Sequence, residues 1–216
     1  MNFDPVLLLA MWAAGLAACA AVVAWWRVAR TGYLWLAAGV VALVGLAPAF
    51  ASPLAIGGLV VAGIAGWLAK RPRYAAALFA VSSVAFLVVA VGRDSVLPVL
   101  AGSAALGGIT AEMLLAHWYL VDPKLPRWAL QRLDVIGGVG LVAEIGVAAA
   151  LGTLRSPATL FGAAYLMLAG LTLLLVVGAW YSLKEKGYEG VMAATGLSYL
   201  ATLTVLGTTF LARAAF

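Results

Sequence analysis

Four ionisable side chains stand out in a chain that is otherwise almost entirely apolar. His117, the only histidine, shares one long apolar segment with Glu112, and Asp134 and Glu144 lie in the next segment. In the hydrocarbon of a bilayer an ionisable side chain costs about 2.5 to 3.5 kcal/mol at the centre of a helix, so such residues usually face protein or a cavity. We therefore treat all four as candidate site residues.

Two of these side chains form a candidate catalytic pair. Counting outward from the middle of the connection at 125–126 places His117 and Asp134 at nearly the same depth, just inside one membrane boundary. A histidine whose tautomer is set by a carboxylate can exchange protons with a quinone carbonyl. The alternative for this pair is a structural clamp. The same count places Glu112 and Glu144 deeper, either as a proton path or as buried neutral carboxyls hydrogen-bonded to backbone.

A further polar stripe runs along the last apolar segment, where Thr195, Tyr199 and Thr202 recur at helical spacing. Such a stripe lines a polar cavity, or its hydroxyls hydrogen bond to neighbouring helices and to their own backbone. Together with Tyr119 and the two deeper carboxylates, these side chains are the candidates for a proton path or a substrate path.

The elements that position these residues follow from composition. Apolar residues make up 66% of the 216 residues, charged residues 10%, and the mean hydropathy is +1.11. Because one crossing takes about 20 residues, the chain allows about eight crossings. We predict an all-α polytopic transmembrane helical bundle, a single domain over 1–216 built from four sequential hairpins. The predicted helices lie near 5–26, 33–49, 53–69, 74–91, 97–121, 128–151, 158–183 and 188–212.

Two details of this layout bear on the candidate site. The apolar run 33–69 is too long for one crossing, and Pro48, Ser52 and Pro53 predict the break within it. On the fifth helix, Glu112 and His117 project in directions about 140° apart, so protein must surround that helix on most sides. The glycines of the fifth and sixth helices fit this expectation, because they let neighbouring backbones approach closely.

Basic residues are distributed unequally between the two ends of the predicted helices. Ten of the thirteen Lys and Arg residues fall around the connections after the first, third, fifth and seventh helices. The positive-inside rule places these connections in the cytoplasm and both termini on the non-cytoplasmic side. Seven of the eight tryptophans lie near the same face, as an interfacial belt or as a ligand rim. We expect a multi-pass protein of the bacterial cytoplasmic membrane whose basic connections meet anionic lipids, without a nucleic acid partner.

Several chemistries are excluded by what the sequence lacks. A single histidine cannot supply two axial haem ligands from opposite faces, and no His or Cys cluster has metal-ligand spacing. Cys19 is the only cysteine, which excludes an internal disulfide and two-thiol redox chemistry. The lysines all fall in connections, which excludes a retinal Schiff base. We expect no covalently bound or metal-ligated cofactor, and quinone is the small molecule that the candidate pair favours.

Two functions from different classes remain. The first is a cofactor-free membrane subunit that interacts with quinone and conducts protons for a redox complex. The layout resembles that of quinone-binding membrane anchor subunits of respiratory complexes in architecture alone, with no shared motif and no implied residue roles. The alternative is a small transporter or exporter with a polar central path, supported by aromatic and basic residues that recur at four helix ends. A structural or assembly protein is the third reading. The expected partners are lipids, redox subunits or further copies of the chain.

Overall fold

The structure is a computed structural model that describes residues 4–151 and 160–214, and within these residues it contains eight α-helices and no strand. The helices are α1 (Pro5–Trp26), α2 (Thr31–Ala51), α3 (Pro53–Trp67), α4 (Pro72–Val91), α5 (Val96–Tyr119), α6 (Arg127–Ala150), α7 (Leu160–Ser182) and α8 (Tyr188–Ala214). Seven are long and apolar enough to cross a membrane, whereas α3 has only 15 residues. The predicted helical bundle is confirmed. The predicted start of the seventh helix, at 158, lies outside the described residues.

Helix boundaries follow from local chemistry. The Asp4 carboxylate caps α1 by accepting hydrogen bonds from the backbone N–H groups of the second and third helical residues. The break after α2 falls at Ser52, directly before Pro53, which is well suited to the first position of α3. Pro48, which we expected in the break, lies inside α2 three residues before its end. A proline in the last turn removes a single backbone hydrogen bond, which a helix between others tolerates.

The helices form two four-membered groups. In the first group α1 packs on α2 and α4, and α3 packs on α2 and α4; in the second, α5 packs on α6 and α8, and α7 packs on α6 and α8. The groups meet mainly through α1 and α5. These two helices are the most buried of the candidate spans, with 72% and 83% of their apolar windows inside the protein. The prediction that the fifth helix is central is therefore confirmed.

Glycine makes the contact between the two groups possible. A Cβ atom on Gly15 of α1 would overlap the backbone of Ser103 and contact Gly107 of α5, and a Cβ on Gly107 would overlap the backbone of Gly15. Between membrane helices, where no hydrophobic effect drives association, such close backbone approach is a principal source of packing energy. The crossing therefore fixes how α5, which carries Glu112 and His117, sits against the first group.

Ion pairs show which helix ends lie together. Asp4 accepts a hydrogen bond from Arg93 at 2.7 Å, and Asp94 pairs with Arg213 at 3.3 Å. The start of α1, the α4–α5 turn and the end of α8 therefore share one end of the bundle, which we call the terminal end. The opposite end carries the connections 27–30, 68–71, 120–126 and 183–187, and we call it the basic end. The side of the membrane that each end faces stays a prediction.

Candidate functional site

The register of α5 against α6 decides which candidate residues meet. Gly108 packs on Gly137, and Gly140 packs on the backbone at Ala104 and Ala105, so close that a Cβ on either Gly108 or Gly140 would overlap the facing helix. Continuing this register places Asp134 opposite Ala111, beside Glu112. His117 falls opposite Trp128, about one and a half turns away.

The expected pairing of His117 with Asp134 is thus not found, and among the described residues no hydrogen bond or ion pair joins them. The count from 125–126 assumed a symmetric turn. In the structure α5 ends at Tyr119 and α6 begins at Arg127, so the centre of the turn is nearer 123. Pro126 is the N-cap of α6, so α6 begins directly after the assumed centre at 125–126, whereas α5 ends well before it, at Tyr119.

Asp134 and Glu112 instead form a pair of buried carboxyls. Their relative exposures are 4% and 1%, and the two groups are close enough to interact electrostatically. Neither forms an ion pair with a cation among the described residues. Glu112 Oε1 has no hydrogen-bonding partner there; the Ser198 hydroxyl, which lies within hydrogen-bonding range of the Glu112 carboxyl, donates to the Ala194 carbonyl oxygen at 2.7 Å. Two membrane-buried acids at one depth are therefore left without a compensating charge.

Asp134 also lines a groove on the surface of the bundle. The groove, between α6 and α7, has a volume of about 330 Å³, and its other lining residues are apolar: Val135, Gly138, Val139, Val142, Leu173, Val176, Val177 and Trp180. Several of the valines are exposed, so the groove opens sideways, toward the bilayer. At its basic end the Lys184 ammonium lies 3.3 Å from the centre of the Trp180 ring, a cation–π contact. Among the described residues that line the groove, Asp134 is the only one with a carboxyl group.

His117 lies on a different face, where α5 packs on α8. Its Nδ1 is 3.1 Å from the Tyr199 hydroxyl oxygen, and the His117 side chain is exposed on the surface of the bundle. One turn deeper on α5, Met113 accepts a hydrogen bond from Thr202 through its sulfur at 3.5 Å. The candidate histidine therefore has a tyrosine as its partner, and the proton positions within this pair depend on the histidine tautomer.

Most hydroxyl groups in the polar stripe of α8 donate hydrogen bonds to carbonyl oxygens of α8 itself. Thr195 donates to the Val191 carbonyl oxygen at 2.7 Å, and Thr202 donates to the Ser198 carbonyl oxygen at 2.9 Å. These are hydrogen bonds from residue i to residue i−4, the usual arrangement for hydroxyls in membrane helices. Tyr119, which is 7% exposed, stacks obliquely near Tyr188 with ring centroids 6.5 Å apart. These residues do not border the groove beside Asp134.

Glu144 belongs to the terminal end. It lies about 16 Å along the helices from Glu112, because the register places it opposite Ala101, eleven residues from Glu112 at about 1.5 Å each. The expected interior layer of Glu112 with Glu144 is thus replaced by two separate sites. Glu144 binds the Arg213 guanidinium, with oxygen–nitrogen distances of 2.8 and 3.3 Å. Arg213 is the partner that sequence reasoning missed, since nothing in the spacing links residues 69 positions apart.

A network of charges surrounds this ion pair. Arg213 also donates to the Pro98 carbonyl oxygen at 2.8 Å and lies 3.3 Å from Asp94. A Cβ on Gly102 would come within 3.3 Å of both Glu144 and Arg213, so glycine leaves the space that the pair occupies. A cavity of about 390 Å³ lies beside the network. Every carboxylate in it has a basic or amide partner, so the cluster ties α4, α5, α6 and α8 together.

The pKa of Asp4, at the edge of this network, lies below its ordinary value of 3.8. Burial acts to raise the pKa, but the hydrogen bond from Arg93 and the two amide hydrogen bonds that cap α1 lower it by more. Asp4 therefore stays ionised at neutral pH and holds the start of α1 against the α4–α5 turn.

Within the residues that the structure describes, no group of three or more His, Cys, Asp or Glu side chains could hold a metal ion. Comparison of the chain with protein-family models, with curated proteins and with solved structures finds no match in any of the three. The chemistry of the carboxyl pair and of the groove is therefore the basis for a functional proposal.

Proposed function

We propose that the protein is a membrane subunit that binds a quinone-type ligand in the α6–α7 groove and exchanges protons with it through Asp134. The observation that carries this proposal is the Asp134 carboxyl, which is 4% exposed, lines an apolar groove, and forms no hydrogen bond or ion pair with any described residue. Ligand sites are typically apolar clefts with a few polar groups that fix orientation. A ring with a carbonyl or hydroxyl group and an apolar tail matches this arrangement.

Glu112 is a second carboxyl group that can hold the exchanged proton. A quinol that loses its electrons to a redox partner protein also loses two hydroxyl protons, and a carboxylate at hydrogen-bonding distance can accept them one at a time. In hydrocarbon an ionised carboxylate costs about 2.5 to 3.5 kcal/mol. Two carboxyl groups at the same depth, with no cation beside them, therefore favour a state in which they share a proton. Asp134 would accept the proton at the groove, and Glu112 would receive it on the interior side. His117 has no role in this scheme.

Ligand binding can be tested separately from proton exchange. We would titrate the protein in lipid nanodiscs with a short-tailed benzoquinone and follow tryptophan fluorescence, because Trp180 lines the groove. Val142→Phe should fill the groove and abolish the saturable quenching. Leu203→Phe is the matched control, since Leu203 lines a groove of about 490 Å³ between α1 and α8 that contains no carboxyl. If the quenching is lost equally in both variants, or is retained in both, the proposed site is contradicted.

Substitutions of Asp134 then address the chemistry. Asp134→Val removes the hydrogen bond to the ligand and should weaken binding about tenfold, equivalent to about 1.4 kcal/mol. Asp134→Asn keeps a hydrogen-bond donor but cannot take up a proton. It should bind quinone within about threefold of wild type and lose quinol-dependent turnover measured in native membranes. Normal turnover in Asp134→Asn would remove this carboxyl from the mechanism.

A transporter is the second candidate, and the arrangement of helices favours it in one respect. The two four-helix groups meet at α1 and α5, and substrate sites of many transporters lie where two such units join. In liposomes, proton release that accompanies uptake of a lipophilic cation such as ethidium, and that disappears in Glu112→Gln, would support transport. Quinone binding without any such flux would support the redox subunit.

A further inference from the structure

Unpartnered polar atoms lie where the two four-helix groups meet. The Tyr33 hydroxyl of α2 and Glu112 Oε1 of α5 are both buried without a hydrogen-bonding partner among the described residues. Tyr33 is 0% exposed and Glu112 is 1% exposed, and the two side chains are close enough to interact electrostatically. Cys19 of α1, also buried, lies within the same range of Tyr33. Three helices thus each contribute one buried polar side chain to this region.

A third unpartnered polar group, on Trp118, lies toward the basic end of the same region. The Trp118 ring packs on Gly32, the residue before Tyr33, so closely that a Cβ on Gly32 would overlap it. The indole N–H of Trp118 is buried and, within the described chain, has no acceptor. Buried polar groups in native proteins are nearly always satisfied, and in a membrane interior the cost of leaving one unsatisfied is high. Two unsatisfied groups within electrostatic range of each other, with a third beside Gly32, indicate a common small partner.

We propose that an occluded water molecule binds between α1, α2 and α5, hydrogen-bonded to Glu112 and Tyr33. Water fits because it both donates and accepts hydrogen bonds, and two to four polar partners suffice to hold it. A cation such as Mg²⁺ or Ca²⁺ fits poorly, since it requires about six or more oxygen ligands, whereas among the described residues the side-chain oxygens shown to interact with Glu112 are those of Asp134, Ser198 and Tyr33.

The site deepens the proposed function and rests on proton exchange through the carboxyl pair. When Glu112 receives a proton from Asp134, its carboxyl O–H donates a hydrogen bond to the water oxygen, and a water O–H donates a hydrogen bond to the Tyr33 oxygen. No charge is separated in the membrane interior, where an uncompensated charge is costly. The protonated carboxyl oxygen of Glu112 then faces the first four-helix group, away from the groove.

Radiolytic hydroxyl-radical labelling tests the bound water directly, because X-rays generate the radical from water and it reacts within a few ångströms of its origin. Tyr165 of α7 is the reference: it too is a tyrosine at 0% exposure whose hydroxyl lacks a hydrogen-bonding partner in the described residues, but the charged groups near it are Glu144 and Arg213 rather than Glu112. Glu112→Leu should slow the labelling of Tyr33 at least about fivefold, because the water loses one of its two partners. The same variant should leave the labelling of Tyr165 unchanged.

Tyr33 labelling that Glu112→Leu leaves unchanged would overturn the inference, as would an equal fall in the labelling of Tyr33 and Tyr165 in that variant. Where Glu112→Leu does not fold, Glu112→Val supplies the same comparison with less bulk. The labelling is done without quinone, so its outcome is independent of ligand binding. Rapid labelling of Tyr33 in a protein that binds no quinone would keep the water site and reject the proposed ligand.

Discussion

Loss of Arg213 should destabilise the protein more than loss of its partner Glu144. Glu144 is buried, with 1% of its side chain exposed, and Arg213 is its only hydrogen-bonding or ionic partner among the described residues. Arg213→Met therefore leaves a buried carboxyl with nothing to neutralise it. Removing one member of a buried ion pair costs about 3 to 5 kcal/mol, and we expect a decrease of this size in the free energy of unfolding.

Glu144→Gln should cost less, about 1 to 2 kcal/mol, because Arg213 keeps Asp94 and the Pro98 carbonyl oxygen, and the amide oxygen can still accept a hydrogen bond. The double variant Glu144→Met with Arg213→Met should be more stable than Arg213→Met alone, since no unpaired charge is left inside. This order separates a charge effect from a loss of packing.

Reversible unfolding in mixed detergent micelles, followed by circular dichroism, measures these differences. Arg93→Met is the control, because it breaks the Asp4–Arg93 pair, in which the side chains are 34% and 31% exposed. Such a pair contributes about 0 to 1 kcal/mol. Equal losses for Arg213→Met and Arg93→Met, or a larger loss for Glu144→Gln than for Arg213→Met, would refute the reasoning.

Two other predictions concern the α1–α5 contact and the cap of α1. Gly107→Ala should destabilise by about 1 to 3 kcal/mol or more, because its Cβ would overlap the Gly15 backbone, whereas Gly39→Ala, which enters open space, should be neutral in the same unfolding assay. Asp4 has a lowered pKa, so the stability it adds is complete above about pH 4 and is lost as pH falls through the lowered value. Asp4→Asn should remove this pH-dependent contribution, about 0 to 1 kcal/mol, from the free energy of unfolding. If the free energy of unfolding of Asp4→Asn falls with acid as steeply as that of the wild type, the prediction is contradicted.

Much of the architecture could be predicted from the sequence because a bilayer leaves few choices. Backbone polar groups must be satisfied within each spanning segment, so apolar runs of sufficient length become helices. The eight predicted segments agree with the observed helices to within a few residues at nearly every described end. The largest departure is α2, which extends two residues beyond the predicted bounds at each end and contains Pro48, since a proline alone does not state where a helix ends. The central position of α5 followed from its two polar directions.

The candidate site was predicted less well, and the reason is register. Glu112 and Asp134 were both identified as candidate site residues, but Asp134 was placed near the membrane boundary and paired with His117, because the asymmetry of the turn at 120–126 was not foreseen. A shift of about three residues in the centre of a turn moves the facing residue by about six, or roughly 9 Å along a helix. Tyr199, a candidate for a proton path or a substrate path, is the residue that contacts His117.

The sequence by itself determined the class of protein, the number of helices and the side chains that are costly to bury, because each of these depends on composition along a single segment. Only the tertiary structure decided that Glu112 meets Asp134, that Asp134 opens on a groove, and that Arg213 neutralises Glu144. Those contacts depend on how glycine backbones interlock between helices. Glycine along one helix indicates that a neighbouring helix approaches closely, but it does not state which residues of that neighbour lie opposite.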